Sequence, residues 1–136
     1  MKKMMKLIAL ALVLTLSVAM LASCSVPNAN PEKAIAALKE ADYKAVEDDT
    51  VTPLVLAGLG IKDVDVVVTG TAVIDKKVEH VTIIYFESAD AAKAAWEDVK
   101  EYAEKEDKEE EDTDWTIAKF GKMIWYGTEA AIKATY

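Results

Sequence analysis

The stretch VDVVVTGTAVIDKKVEHVTIIYF, residues 64–86, has the strongest secondary-structure pattern in this chain. It contains two runs, residues 64–74 and 78–86, that are rich in valine, threonine and isoleucine. These β-branched residues favour strands. The polar residues 75–77 between the two runs provide a turn. The stretch therefore predicts a β-hairpin.

A long helix is predicted directly after this hairpin. Ser88 can cap the first free amides of a helix, and Asp90 then lies at the positive end of the helix dipole. Apolar residues recur at helical spacing after it: Ala92, Trp96, Val99 and Ala103. We expect the helix to end within the charged tract of residues 104–114.

A second hairpin is predicted from residues 115–120 and 123–126, joined by a tight turn at Gly121-Lys122. Glycine at the first turn position suits the positive φ angle of a type II′ turn. Thr128 is predicted to cap a final short helix that ends at Tyr136.

The two halves of this pattern resemble each other. Residues 83–96 align without a gap with residues 123–136, and a hydroxyl residue follows the strand in both, Ser88 and Thr128. One interpretation is a duplicated strand–strand–helix unit. The other is that any strand that leads into a capped, alanine-rich helix looks similar.

A first helix is predicted for residues 31–41, on the amino-terminal side of the hairpin. The Asn30 side chain can cap it, and proline fits the first position because no amide hydrogen bond is lost there. Residues 43–61 have a weaker pattern, in which proline and glycines bracket an apolar run. We expect one short helical turn at residues 54–59.

These elements predict one α+β domain over residues 31–136. The order is α-β-β-α-β-β-α, with a four-stranded, mainly antiparallel sheet and packed helices. Residues 83–86 and 123–126 are apolar at every position, so both faces of the sheet centre must be covered. We expect the helices after the two hairpins to cover one face, and the first helix with the turn at residues 54–59 to cover the other.

An alternative is that part of this second face stays open. Tyr85 or Trp125 would then be exposed and would line a groove or an interface with a partner. We name these two aromatics as the candidate interaction surface. A domain of this size needs most of its apolar residues for its own core, which favours the closed arrangement.

The amino terminus has the three parts of an export signal. Residues 1–6 carry three lysines, and residues 7–20 form a run of 14 apolar and small hydroxyl residues. That run is too short to span a bilayer comfortably, and it matches the apolar region of a signal peptide.

A small-residue tetrapeptide completes this signal: Leu21-Ala22-Ser23-Cys24. It resembles the lipobox of bacterial lipoprotein precursors. The resemblance implies removal of residues 1–23 and acylation of Cys24, for example with palmitate, with residues 24–30 as a lipidated tether. An ordinary secretory signal followed by an unrelated cysteine is the competing interpretation.

The resemblance also implies a location. The mature protein would be extracytoplasmic and held at the cell membrane through Cys24. In a Gram-negative cell the outer membrane is an option, because Ser25 is not the aspartate that favours retention at the inner membrane.

The composition excludes several function classes. Residues 24–136 contain 13 lysines, no arginine and all 24 acidic residues, a net charge of −11. Such a chain lacks the basic surface that nucleic acid requires, and we expect no nucleic-acid partner. Cys24 is the only cysteine. Its acylation would leave no thiol for redox or nucleophilic chemistry.

Few residues are candidates for catalysis. His80 is the only histidine and lies within a predicted strand, while Asp63 and Asp65 flank the start of another. The acidic tract of residues 104–114 lacks the alternating aspartate-and-glycine pattern of a calcium loop. We predict no catalytic residue, no metal site and no cofactor.

The sequence therefore favours a non-catalytic binding or interaction domain tethered to the membrane. Its partner would be an envelope protein, a peptide or a wall component. One alternative is an envelope-polymer hydrolase, or a subunit of one, that works with two carboxylates in a cleft. Another is a modulator or inhibitor that pairs through an exposed sheet edge.

Overall fold

The computed structural model describes residues 26–107 and 115–136. Helices and strands alternate along these residues: α1 (Pro31–Glu40), β1 (Lys44–Glu47), α2 (Val51–Gly58), β2 (Val64–Ile74), β3 (Lys77–Phe86), α3 (Ala89–Asp107), β4 (Trp115–Phe120), β5 (Met123–Thr128) and α4 (Glu129–Lys133). The predicted α+β class is confirmed.

One antiparallel sheet organises the described part of the chain, with strand order β1-β2-β3-β5-β4. The predicted hairpin, β2 and β3, forms its centre. Asp75 and Lys76 form the hairpin turn with φ angles of 52° and 67°. Two consecutive positive φ angles are the backbone of a type I′ turn, whose twist matches that of the flanking strands.

The prediction of four strands was wrong, because the described residues form a sheet of five strands. The additional strand is β1, which pairs with β2 from Lys44 opposite Thr71 to Glu47 opposite Val68. Only Ala45 of its four residues is buried. A four-residue edge strand with one buried position has no clear apolar alternation, so local sequence did not reveal it.

Two of the predicted helix caps are present. The Asn30 side-chain oxygen accepts hydrogen bonds from the backbone amides of Glu32 and Lys33, at 2.9 and 3.3 Å. The Ser88 hydroxyl oxygen accepts one from the amide of Ala91 at 3.1 Å. Each cap gives a partner to helix amides that have none inside the helix.

The prediction that Thr128 caps the last helix was wrong. Thr128 precedes α4, but its side chain makes no capping hydrogen bond. Its hydroxyl instead bridges to the neighbouring strand, accepting from the His80 amide at 3.2 Å and donating to the His80 carbonyl oxygen at 3.3 Å. Thr128 thus joins β5 to β3 beyond their last regular pair, Val81 and Gly127.

Both faces of the sheet are covered, which gives three layers. Helices α1 and α4 pack on what we call the first face through Ala34, Leu38, Ala131 and Ile132. Helices α2 and α3 pack on the second face, through residues that include Leu56, Ala92, Val99 and Ala103. The expected partition was therefore wrong: the helices after the two hairpins lie on opposite faces.

The alignment between the two halves holds for the strands only. Tyr85 and Trp125 both point to the first face, and Ile84 and Ile124 both point to the second. A two-fold axis normal to the sheet would relate β3 to β5 and keep each helix on the same face. Because α3 and α4 lie on opposite faces, one such axis cannot relate the complete units.

Candidate functional site

The two ends of the described chain meet on the first face of the sheet. The backbone amide of Asn28 donates a hydrogen bond to the carbonyl oxygen of Thr135 at 3.2 Å. The hydroxyl of Tyr85, from β3, donates to the carbonyl oxygen of Asn28 at 2.7 Å. Pro27, which precedes Asn28, is buried. Residues 26–28 are therefore held against β3 and the last described residues of the chain.

A groove of about 720 Å³ opens where these ends meet, and we call it the terminal groove. Its lining is mainly apolar, with a polar rim. The apolar lining includes Val26, Pro27, Pro31, Tyr85, Phe120, Met123 and Tyr136, and the rim includes Asn28, Asp65, Glu87 and Lys122. Concave sites of this size, with few polar groups around an apolar lining, are typical of ligand pockets.

A second, smaller opening of about 460 Å³ adjoins the terminal groove, and we call it the side hollow. Val26, Phe120 and Tyr136 line both openings. Phe120 is 60% exposed and Tyr136 is 45% exposed. Phe120 and Tyr136 are thus two solvent-exposed aromatic side chains that line both openings together with Val26, the first described residue.

Local sequence explains why Phe120 is held at this position. It ends β4 and precedes Gly121, whose φ of +57° lies in the left-handed region that glycine adopts readily. Phe120 pairs with Met123 across this predicted turn. The turn places the ring at the end of an edge strand, where the sheet gives it no neighbour on the outer side.

The predicted interaction surface of Tyr85 and Trp125 was wrong in its exposure. Each side chain is 4% exposed, because helices α1 and α4 cover the first face of the sheet. Their edges nevertheless reach the candidate site: Tyr85 lines the terminal groove and Trp125 lines the side hollow. Burial also raises the pKa of the Tyr85 hydroxyl well above its usual value.

Of the residues considered for catalysis, His80 lies away from Asp63 and Asp65 along the β2–β3 hairpin. His80 is half-buried in β3, at the level where Thr128 bridges the strands. Asp65 lies on the groove rim together with Glu87, and both are exposed to solvent. Asp63 contributes its backbone carbonyl oxygen, which accepts a hydrogen bond from the Glu87 amide at 2.9 Å. The carboxylates at the groove are thus Asp65 and Glu87.

Other predicted features fall outside the described residues. Cys24 lies there, as does most of the acidic tract, residues 108–114. Within residues 26–107 and 115–136, no group of three or more histidine, cysteine, aspartate or glutamate side chains is placed to hold a metal ion. None of the helices in this same part of the chain has both the length and the apolar character needed to cross a membrane.

Sequence reasoning missed the residues that build the terminal groove. Val26 and Pro27 were assigned to a free tether, and Phe120 and Tyr136 to the ends of ordinary elements. A partial signal existed, since Phe120 stands beside a predicted turn at the end of a strand. The meeting of residues 26–28 with residues 135–136 joins opposite ends of the chain, and no local pattern reports such a contact.

Comparison with known proteins identifies no relative of this chain. No protein-family model matches the chain, and neither a curated protein nor a solved structure shows significant similarity to it.

Proposed function

We propose that this chain is an extracytoplasmic lipoprotein, anchored through Cys24, whose domain is a non-catalytic binding module. Two features support this function. The first 24 residues have the order and composition of a lipoprotein signal. The second feature is the terminal groove, whose lining begins at Val26, two residues after Cys24.

The observation that carries the proposal is this adjacency of groove and anchor. Residues 26–28 pack against Tyr85 and Thr135, so they cannot act as a long spacer. Two residues span at most about 7 Å, which puts the lipid close to the groove. A partner bound in the groove would be held at the membrane surface.

The groove favours a partner that presents an apolar group. Phe120 and Tyr136 can close around such a group, and burying one large aromatic side chain contributes roughly 1.5–3 kcal/mol. An envelope protein, a peptide or a wall component could supply this group. The rim residues Asp65, Glu87 and Lys122 would then contact its polar part.

One observation keeps the hydrolase alternative open. Asp65 and Glu87 both lie on the groove rim, and glycosidases use two carboxylates that flank the bond. Both are exposed, whereas a general acid that works near neutral pH needs a carboxyl shielded from water. If the double variant Asp65→Asn, Glu87→Gln abolished hydrolysis of a wall polymer by the purified protein, the alternative would replace the binding function.

The anchor is tested in cells that express the full chain with an alkynyl palmitate in the medium. We expect the protein to carry the label and to sediment with membranes. The Cys24→Ala variant should lose the label and should accumulate as the uncut precursor. Equal labelling of the two proteins would exclude acylation at this position.

The groove is tested with the fluorescent apolar probe anilinonaphthalene sulfonate on the purified protein. Phe120→Ala and Tyr136→Ala should each weaken probe binding. Leu54→Ala is the matched control, since Leu54 is 73% exposed on α2, which packs on the opposite face. Equal binding by all variants would show that the groove is not a binding site.

A further inference from the structure

We infer that the end of the domain that carries the terminal groove docks on the membrane: the protein rests on the bilayer with this end, and Phe120 enters the boundary between headgroups and acyl chains. This inference rests on the proposed function, because it requires the anchor at Cys24. It adds an orientation for the domain and a role for its exposed aromatics.

The length of chain before the groove sets the geometry. Only Ser25 separates Cys24 from Val26, which lines both the terminal groove and the side hollow. The Cα atoms of Cys24 and Val26 can be at most about 7 Å apart. Because a lipidated Cys24 would lie at the headgroups, Val26 and the part of the groove that it lines must lie close to the same surface.

The side chains around the two openings suit an interface. Tyrosine and tryptophan are enriched where a membrane meets water because their rings are amphipathic, and phenylalanine is common among the apolar residues that segments lying on a membrane bury below the headgroups. Phe120 and Tyr136 provide such rings, both substantially exposed. The turn that follows Phe120 carries Lys122, which can reach anionic headgroups.

The charged side chains around the two openings balance one another. Three lysines and three acids line the two openings: Lys119, Lys122, Lys133, Asp65, Glu87 and Glu129. Their charges cancel, whereas residues 24–136 carry a net charge of −11. A surface with no net side-chain charge can approach anionic lipid without the repulsion that a surface with the average charge of the chain would meet.

A comparison within the chain provides the control. Val73 is 71% exposed, slightly more than Phe120. Val73 lies next to the β2–β3 turn. Phe120 lies at the opposite end of the sheet, because it pairs with Met123, and Met123 pairs with Tyr85 near the end of β3. If the domain stands on its groove end, Val73 must face away from the membrane.

The experiment uses the full chain with Phe120→Cys or Val73→Cys, expressed in bacteria that process lipoproteins, and labelled with a nitrobenzoxadiazole thiol reagent. The proteins are reconstituted in vesicles of phosphatidylethanolamine and phosphatidylglycerol that contain nitroxide-labelled lipid. Mass spectrometry counts the labels on each protein. Circular dichroism confirms that both variants are folded.

We expect one label per protein, because an acylated Cys24 has no thiol to react. The probe at position 120 should be quenched several-fold more strongly by the lipid nitroxides than the probe at position 73. Equal quenching at both positions, or stronger quenching at position 73, would overturn the inference and leave the anchor intact. Two labels per protein would show a free thiol at Cys24, and the proposed anchor would fail first.

Discussion

The hydroxyl of Tyr85 donates a hydrogen bond of 2.7 Å to the backbone carbonyl oxygen of Asn28, 57 residues earlier in the chain. This contact ties the amino-terminal segment to the central strand pair of the sheet. The amide of the same Asn28 donates to Thr135, so the carboxyl-terminal segment is held by the same residue. The terminal groove therefore depends on Tyr85 at its base.

Removing the Tyr85 hydroxyl should loosen the amino-terminal segment. We expect Tyr85→Phe to lower the free energy of unfolding by about 1–2 kcal/mol, because the Asn28 carbonyl oxygen loses its partner in a half-buried position. Hydrogen exchange at the Asn28 amide should accelerate more than exchange in β3. Tyr43→Phe is the control, a buried tyrosine between α1 and β1, and it should leave exchange at Asn28 unchanged. Unchanged exchange in Tyr85→Phe would contradict this role.

The buried tyrosines predict a loss of stability at high pH. Burial raises the pKa of Tyr85, and burial together with the nearby Glu79 carboxylate raises the pKa of Tyr43. Above about pH 10 the unfolded chain releases these phenolic protons while the folded protein retains them. The free energy of unfolding should therefore fall as the pH rises above that value, by up to about 1.4 kcal/mol per pH unit for Tyr85 and with a further contribution from Tyr43.

Urea unfolding at about pH 9 and about pH 11 measures this effect. The drop between the two conditions should be smaller in Tyr85→Phe than in the unmodified protein. An equal drop in both would mean that Tyr85 ionises alike in the folded and unfolded states.

Gly127 should tolerate no side chain. Its φ is +148°, and a Cβ atom there would overlap the carbonyl oxygen of His80 and come within 2.7 Å of the Val81 Cα. We expect Gly127→Ala to cost at least about 2 kcal/mol of stability. Gly58→Ala is the matched control, since its Cβ would meet no atom within 4 Å.

That control should change stability by less than about 1 kcal/mol, toward the stabilising side, because alanine restricts the unfolded chain more than glycine. Thermal unfolding of the two variants compares them directly. If Gly127→Ala were as stable as Gly58→Ala, the close approach of β5 to β3 at His80 would be wrong.

Local sequence was enough to predict the elements whose signals are complete within a few residues. Asn30 and Ser88 are followed by helical patterns and form the expected caps. The β2–β3 hairpin has β-branched runs on both sides of a polar turn. Gly121 stands where the second hairpin needs a positive φ. In each case one residue and its near neighbours determine the geometry.

The parts that sequence missed are set by contacts between distant residues. Strand β1 has one buried residue and forms only because β2 offers a free edge. The two helices that follow the hairpins lie on opposite faces of the sheet, although similar sequences lead into them. The terminal groove requires residues 26–28 and 135–136 to meet. None of these outcomes leaves a repeating pattern in the sequence.

The most direct test of the lipoprotein assignment is the intact mass of the protein extracted from bacterial membranes. We expect a chain that begins at Cys24 and carries the added mass of a diacylglycerol group, with a further acyl chain where the host transfers one. A chain that keeps residues 1–23, or one that begins at Cys24 with a free thiol, would contradict the anchor. The orientation of the terminal groove toward the membrane would then lose its basis.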